Sequence, residues 1–305
     1  MKKLLAGLLV LTLLVACGGS GSNATIKLGV ASTQGAKVDE KDANKAEYTT
    51  VVVAVALKDD KVAYVSIDES QQFANIVDGA VVTETERTKK EKGLDYNMKG
   101  ASEAAGLGKE WDEQIKALEE ALIGLTKDEV VALFAGEDVK SSATIFLGNI
   151  EATVVKAIDA AVEVKDVAKV GLGYVVSNKI GREGGSETVM DYAFIAVDKD
   201  DKIVSAQLDA AQEKVDFVDG AHKPQEINQT KGELKDKYAM IGASPIKAEW
   251  NTQNDSLMEA LVGKTFDEAA GLENSKDDLE TTVTMSIASY QAAIANAKAA
   301  LTELK

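Results

Sequence analysis

The fold of this chain is decided by residues 51–68, which read VVVAVALKDDKVAYVSID, and by residues 193–209, which read AFIAVDKDDKIVSAQLD. Each stretch places a Lys-Asp-Asp-Lys turn between two apolar runs that are rich in β-branched residues. This pattern is typical of an antiparallel β-hairpin. Because apolar residues occupy successive positions, we expect both faces of these strands to be covered.

The similarity between the two stretches continues along the chain. Further matches occur in the same order in both halves and pair Tyr96, Met98, Trp111 and Thr126 with Tyr238, Met240, Trp250 and Thr265. The matching residues are about 140 positions apart, which is the size of a domain rather than of a solenoid repeat. We therefore predict two tandem homologous domains, at residues 27–164 and 165–305.

Helix patterns follow the hairpin in each repeat. Residues 111–123 carry apolar side chains at helical spacing, and Thr126 with the acids after it is typical of a helix N-terminus that leads into residues 130–134. Each repeat then closes with an amphipathic segment, at residues 145–160 and residues 285–304. The predicted class is α+β, with an antiparallel sheet and packed helices in each domain.

The chain begins with a basic segment, an apolar run and a cysteine. Lys2 and Lys3 precede the apolar residues 4–16, and Cys17 follows directly. The run is shorter than the roughly 20 residues that a helix needs to cross a membrane. The sequence LVAC at residues 14–17 resembles the lipobox of bacterial lipoproteins. That resemblance implies a signal peptide cleaved before Cys17 and a diacylglyceryl group on its thiol; the alternative is an ordinary secretory peptide.

The composition excludes some classes of partner. The chain has 34 Lys and Arg against 50 Asp and Glu, a formal net charge of −16 at pH 7. Such a charge repels nucleic acid and anionic lipid head groups, so membrane attachment would depend on the lipid at Cys17. A hydrophobic fraction of 45% with only two prolines favours packed domains over a disordered stalk. The Gly- and Ser-rich start of residues 17–26 is typical of a flexible linker between the lipid and the first domain.

One motif carries chemistry, and it stands before the first closing helix. It reads Asp138, two variable residues, then Ser141, Ser142, Ala143 and Thr144. This pattern resembles that of FMN-binding domains modified by a flavin transferase. All fixed positions match, and the resemblance implies that the Thr144 hydroxyl carries FMN through a phosphoester bond.

A second copy of the motif precedes the second closing helix. Asp278, Thr281, Thr282, Val283 and Thr284 occupy the equivalent positions. The resemblance implies that Thr284 is the second acceptor. This copy departs from the family pattern, because Thr282 replaces Gly or Ser and Val283 replaces Ala, and both replacements are bulkier.

The surroundings of Thr144 suggest a physical reason for the motif. Ser141 or Ser142 is a natural helix N-cap, which would place Thr144 in a first turn whose free N–H groups meet a phosphodiester. The small residues Ser142 and Ala143 would let the ligand chain lie against the backbone. Asp138 is a candidate metal or enzyme contact during attachment, since like charge opposes a permanent phosphate contact. The alternative for these residues is a plain helix cap.

The leader, the lipobox, the duplication and the motif together resemble the FMN-binding lipoproteins of Gram-positive extracellular electron transfer, of the peptide-pheromone-encoding type. The resemblance implies up to two covalent FMN groups on a protein anchored by lipid at the extracellular face of the cell membrane. It also implies that electrons pass from a membrane quinone-linked donor to extracellular acceptors such as ferric iron. The protein would then be a carrier rather than a stand-alone enzyme, and the leader around residues 9–16 could yield a peptide pheromone.

Two other functions and several other residues stay open at this point. The chain could instead be a surface lipoprotein that binds a non-flavin ligand, or a structural surface protein. Tyr96, Met98 and Trp111, like their counterparts in the second repeat, could wall a flavin ring or belong to the core. His222 is the single histidine and is expected to face solvent in a loop, and no residues have the spacing of a zinc site.

Overall fold

The computed structural model describes residues 25–77, 80–83, 86–136, 143–180, 185–219, 221–225, 227–274, 276 and 279–304. Within these residues the chain forms two five-stranded antiparallel sheets. The first contains β1 (Ile26–Val38), β2 (Lys45–Lys58), β3 (Lys61–Val77), β4 (Ala80–Thr83) and β5 (Val162–Val164). The second contains β6 (Lys169–Ile180), β7 (Ser186–Val197), β8 (Ile203–Val218), β9 (Ala221–Pro224) and β10 (Thr302–Glu303). The order is β4-β3-β2-β1-β5 in one and β9-β8-β7-β6-β10 in the other, which is the same arrangement.

The helices follow the first four strands of each sheet. Those of the first half are α1 (Lys89–Lys92), α2 (Lys99–Ala104), α3 (Trp111–Leu122), α4 (Lys127–Ala135) and α5 (Gly148–Asp159). Those of the second half are α6 (Lys231–Leu234), α7 (Trp250–Leu261), α8 (Phe266–Ala270) and α9 (Ala288–Ala299). The α+β class predicted from the sequence is confirmed. None of the helices in the described part of the chain is both long and apolar enough to cross a membrane.

The predicted hairpin is confirmed between β2 and β3. Lys58 pairs with Lys61, and the two residues between them, Asp59 and Asp60, have φ angles of 51° and 61°. Positive φ at both central positions is typical of the type I′ turn, whose twist matches that of the flanking strands. Asp tolerates this left-handed conformation better than most residues do.

Both faces of the central strands are covered, as the continuous apolar runs predict. On β2, Val51, Val53 and Val55 pack against the helices of their own half. The intervening Val52 and Ala54 belong to a cluster that joins the two sheets face to face. Fully burying a valine stabilises a fold by roughly 1.5–3 kcal/mol, so the sheet contact and the helix layer both contribute substantially.

Glycines let the closing helices approach the sheets closely. A Cβ atom at Gly29 of β1 would lie 2.1 Å from the Ala157 carbonyl oxygen on α5. A Cβ atom at Gly171 of β6 would lie 2.2 Å from the Ala297 carbonyl oxygen on α9. Both separations are far inside contact distance, so only glycine fits, and the C-terminal part of each closing helix packs directly against its sheet.

The starts of the closing helices differ from the sequence expectation. Helix α5 begins at Gly148 rather than at residue 145, and α9 begins at Ala288 rather than at residue 285. Neither N-cap residue, Leu147 or Ile287, makes a side-chain capping hydrogen bond. The prediction that a serine caps the first closing helix is therefore wrong.

Candidate functional site

A cavity of about 530 Å³ lies on the helix side of the first sheet, within the roughly 300–1,000 Å³ typical of small-molecule sites. Its walls come from the sheet, from the segment before α2, from α3 and from the segment before α5. The lining residues are Lys37, Glu47, Thr49, Glu69, Gln71, Lys89, Tyr96, Met98, Trp111, Thr144, Ile145, Phe146 and Asn149. Thr144, the predicted acceptor, is therefore part of a concave site.

Gln114 holds Thr144 in place. Its Oε1 accepts a hydrogen bond from the Thr144 backbone N–H at 2.9 Å and lies 3.3 Å from the Thr144 Oγ1. Its Nε2 donates to the same Oγ1 at 3.1 Å and to the Lys109 carbonyl oxygen at 3.3 Å. Gln114 is buried on α3, whereas Thr144 is half-buried. The hydroxyl is thus fixed from its protein side and open to the cavity on the other.

The second half repeats this arrangement at Thr284. The Thr284 backbone N–H donates to Gln253 Oε1 at 2.7 Å, and the Thr284 Oγ1 donates to the same atom at 3.1 Å. Gln253 is also buried and donates through Nε2 to the Ala248 carbonyl oxygen at 3.1 Å. Sequence reasoning missed both glutamines, although each stands three residues after the repeated Trp111 or Trp250.

The structure corrects the expected surroundings of Thr144. Thr144 precedes the N-cap residue Leu147, so it does not lie in the first turn of a helix, and its N–H is already bonded to Gln114. Ala143 is half-buried, Thr281 is exposed and Thr282 is half-buried. The other predicted motif residues and the lipidation site lie outside the described residues: Asp138, Ser141, Ser142, Asp278 and Cys17.

The aromatic residues and Met98 line the cavity and also pack against the core. Tyr96 and Met98 are half-buried and line the cavity, and Trp111 lines it while remaining only 2% exposed. The Glu110 carboxylate fixes this wall because it accepts the backbone N–H of Met98 at 2.8 Å and of Lys99 at 3.1 Å. Tyr96, Met98 and Trp111 therefore line a cavity and also pack against the core of the first half.

Two ion pairs place opposite charges in the cavity. The Lys89 Nζ lies 2.7 Å from Glu69 Oε1, and the Lys37 Nζ lies 3.1 Å from Glu47 Oε2. Burial by itself lowers the pKa of Lys89, but the charge and hydrogen bond of Glu69, together with Tyr96, outweigh it and raise that pKa above its ordinary value. The Lys89 ammonium also lies 4.9 Å from the centre of the Tyr96 ring, within range of a cation–π contact.

A residue of the second sheet helps to position Lys89. The Tyr174 hydroxyl donates a hydrogen bond to the Asp68 carboxylate. Asp68 also accepts the Thr88 hydroxyl at 2.7 Å and the Lys90 backbone N–H at 3.2 Å, and it is fully buried. Burial raises the pKa of Asp68, while its hydrogen bonds and Lys90 act in the opposite direction. The start of α1, which carries Lys89 into the cavity, is thereby tied to the contact between the two sheets.

The second site is more tightly packed than the first. Val283, Met285 and Ile287, which flank Thr284, are 1%, 7% and 5% exposed. Their counterparts around Thr144, which are Ala143, Ile145 and Leu147, are all half-buried. In addition, Tyr290 packs 6.3 Å from Trp250 where the first half has Ile150.

The expectation that His222 faces solvent is wrong. It lies on β9 with 6% of its surface exposed, rather than facing solvent in a loop. Its ring packs edge-on against Phe217 at 6.1 Å, and burial lowers its pKa. Among the described residues, no group of three or more His, Cys, Asp or Glu side chains could hold a metal ion.

We expect Gln114→Ala to destabilise the protein. The substitution removes the hydrogen bonds that Gln114 makes to the Thr144 N–H and the Lys109 carbonyl; because Thr144 is only half-buried and Lys109 is exposed, we expect a loss of about 1 kcal/mol. Thermal unfolding followed by circular dichroism measures the effect, and Gln253→Ala is the matched variant in the second half. Unchanged unfolding temperatures in both variants would show that these hydrogen bonds do not hold the segments.

Comparison of the chain with models of protein families, with curated protein sequences and with solved structures finds no match.

Proposed function

We propose that this chain is a lipid-anchored flavoprotein that carries covalent FMN on Thr144 and, less completely, on Thr284, and that it relays electrons outside the cell. The observation that carries the proposal is the hydroxyl of Thr144, which is held by a buried glutamine at the edge of an aromatic-lined cavity. The same threonine and glutamine pair recurs at Thr284. A plain helix cap does not account for it, because neither threonine caps a helix.

The residues around Thr144 fit a phosphate ester on its hydroxyl. Attachment would remove the hydroxyl hydrogen, but Oγ1 could still accept the hydrogen bond from Gln114 Nε2, which lies 3.1 Å away. Gln114 Oε1 would keep the bond from the Thr144 N–H. Gln114 can therefore keep its hydrogen bonds to the Thr144 N–H and Oγ1 both before and after attachment of the phosphate. Lys37 and Lys89 line the same cavity, but each is paired with a glutamate there, so the two lysines balance Glu47 and Glu69 rather than leave a net positive charge.

The cavity walls suit a flat aromatic ligand. Tyr96, Met98 and Trp111 offer aromatic and thioether surface for stacking. The Lys89 and Glu69 pair supplies fixed charges beside that surface. Bound FMN would supply the electron-transfer chemistry, while these side chains position it and limit its contact with water.

The remaining parts of the proposal rest on the sequence. The repeated matches and the common strand order support two homologous FMN-binding-like domains. The lipobox at Cys17 supports anchoring at the extracellular face of the cell membrane. The partners would be a flavin transferase, a membrane quinone-linked electron donor and acceptors such as ferric iron. The acidic charge of the chain argues against nucleic acid as a partner.

Intact-mass analysis tests the proposal directly. A soluble form without residues 1–17 retains every described element, since these begin at Ile26. When it is produced together with the flavin transferase, we expect two FMN-phosphoryl additions, or one and a partial second. The protein should be yellow and should stay yellow after denaturation, because the bond is covalent. An unmodified mass and a colourless protein would contradict the proposal and favour a non-flavin ligand binder or a structural surface protein.

A further inference from the structure

Phe146 stands out at the mouth of the first cavity. Its side chain lines the cavity two residues after Thr144, yet the residue is 75% exposed. A single exposed apolar residue needs no special explanation on a protein surface. The contact of Phe146 with Gly148, however, indicates a function for this side chain.

The ring of Phe146 rests on Gly148. A Cβ atom at Gly148 would lie 2.9 Å from the Phe146 Cζ and 3.2 Å from its Cε1. Gly148 is the first residue of α5, where alanine would favour the helix more. Gly148 is not among the described residues with positive φ, so backbone freedom is not the reason for glycine here. The absent side chain leaves room for the ring beside the cavity.

The second half lacks this pair. Ser286 and Ala288 occupy the positions equivalent to Phe146 and Gly148, so neither the ring nor the room for it is present. The flanking residues Met285 and Ile287 are buried there instead. The difference between the halves is therefore concerted, because the aromatic ring and the glycine beneath it are lost together.

We propose that Phe146 covers one face of the planar ring system carried on Thr144, and that the second site has no such cover. This inference rests on the proposed function and adds a named aromatic cover to it. The ring already lies beside the cavity with its tip over Gly148 and is otherwise exposed, so it can stack on a flat ligand from that position. Aromatic stacking would favour the covered arrangement by about two- to tenfold. Removing the ring would open the ligand to solvent without touching its bond to the protein.

Access of a neutral quencher to the flavin tests this inference. The parent is the soluble form with Thr284→Val, so that flavin resides at the first site alone. Phe146→Ser copies the second half, and Gly148→Ala keeps the ring but displaces it. Val262→Ser removes a 52% exposed apolar side chain from the other half as a matched control. Acrylamide is the quencher, because an anion such as iodide would be repelled by the acidic chain.

We expect equal flavin loading by intact mass in all four proteins. Quenching by acrylamide should be about two- to tenfold steeper in Phe146→Ser than in the parent, with Gly148→Ala between them and Val262→Ser unchanged. Equal quenching in Phe146→Ser and the parent, at equal loading, would overturn the inference and leave the proposed function intact. A parent without any flavin addition would overturn the proposed function, and the inference with it.

Discussion

Thr144→Val should abolish one FMN-phosphoryl addition completely and leave the protein folded. Valine has nearly the same shape as threonine but no hydroxyl, so no ester can form. The Thr144 N–H, which bonds to Gln114 Oε1 at 2.9 Å, is unaffected. The lost hydroxyl contact with Gln114 costs about 1 kcal/mol, which shifts the unfolding temperature of a chain of this size by only a few degrees.

The measurement combines intact mass with thermal unfolding of the soluble form. Thr144→Ser is the matched control, because it retains a hydroxyl at the same position and should keep at least part of the modification. Valine also suits the site because Thr144 lies before α5 rather than in it. A Thr144→Val protein that still carries two additions would exclude Thr144 as an acceptor. A protein that no longer folds would mean that the hydroxyl is structural.

The second large effect is expected in intact cells. Thr144→Val combined with Thr284→Val should abolish most reduction of ferric iron, while the amount of lipoprotein at the cell surface stays unchanged. The physical reason is that the two bound flavins are the proposed electron carriers, and the double substitution removes both of them. Ferric reduction is measured in cells that express each variant at matched surface levels. A double variant as active as the wild type would rule out the carrier function of both threonines.

The single variants distinguish two uses of the sites. If the two flavins act in series, either substitution should be nearly as damaging as both, because a relay fails at any missing step. If they act in parallel, each single variant should keep part of the activity. Thr144 and Thr284 lie on the helix sides of their own sheets, and the sheets pack face to face between them. Packed sheets are about 10 Å apart, so the two sites are separated by at least this layer.

We further expect Thr144→Val to be the more damaging single substitution. The cavity at Thr144 is open, whereas Val283 and Met285 beside Thr284 are buried. The bulk of Thr282 and Val283, which departs from the family pattern in the sequence, is consistent with this difference. Equal losses from the two single substitutions would contradict the expected inequality.

Local patterns determined much of the architecture from the sequence alone. The hairpin followed from apolar runs around a turn with two adjacent Asp residues, because that turn type needs residues that tolerate positive φ. The start of α4 followed from Thr126 and Glu129, which form the reciprocal capping box expected of them. These features depend on residues close together in the chain, so a single sequence suffices to read them. The motif also placed Thr144 near the start of the first closing helix, but in its first turn, whereas the structure has Thr144 before the N-cap residue Leu147.

Contacts between distant residues decided the rest. Gln114 and Thr144 are 30 residues apart, so no local pattern shows that the glutamine occupies the threonine N–H. Helix α5 starts at Gly148, later than its apolar spacing indicates, and the segment before it is held by this contact with α3 instead. His222 is buried because β9 pairs with β8 along the contact between the two sheets. The cavity itself exists only where β3, α3 and the segment before α5 converge, and that convergence is a property of packing rather than of any one stretch of sequence.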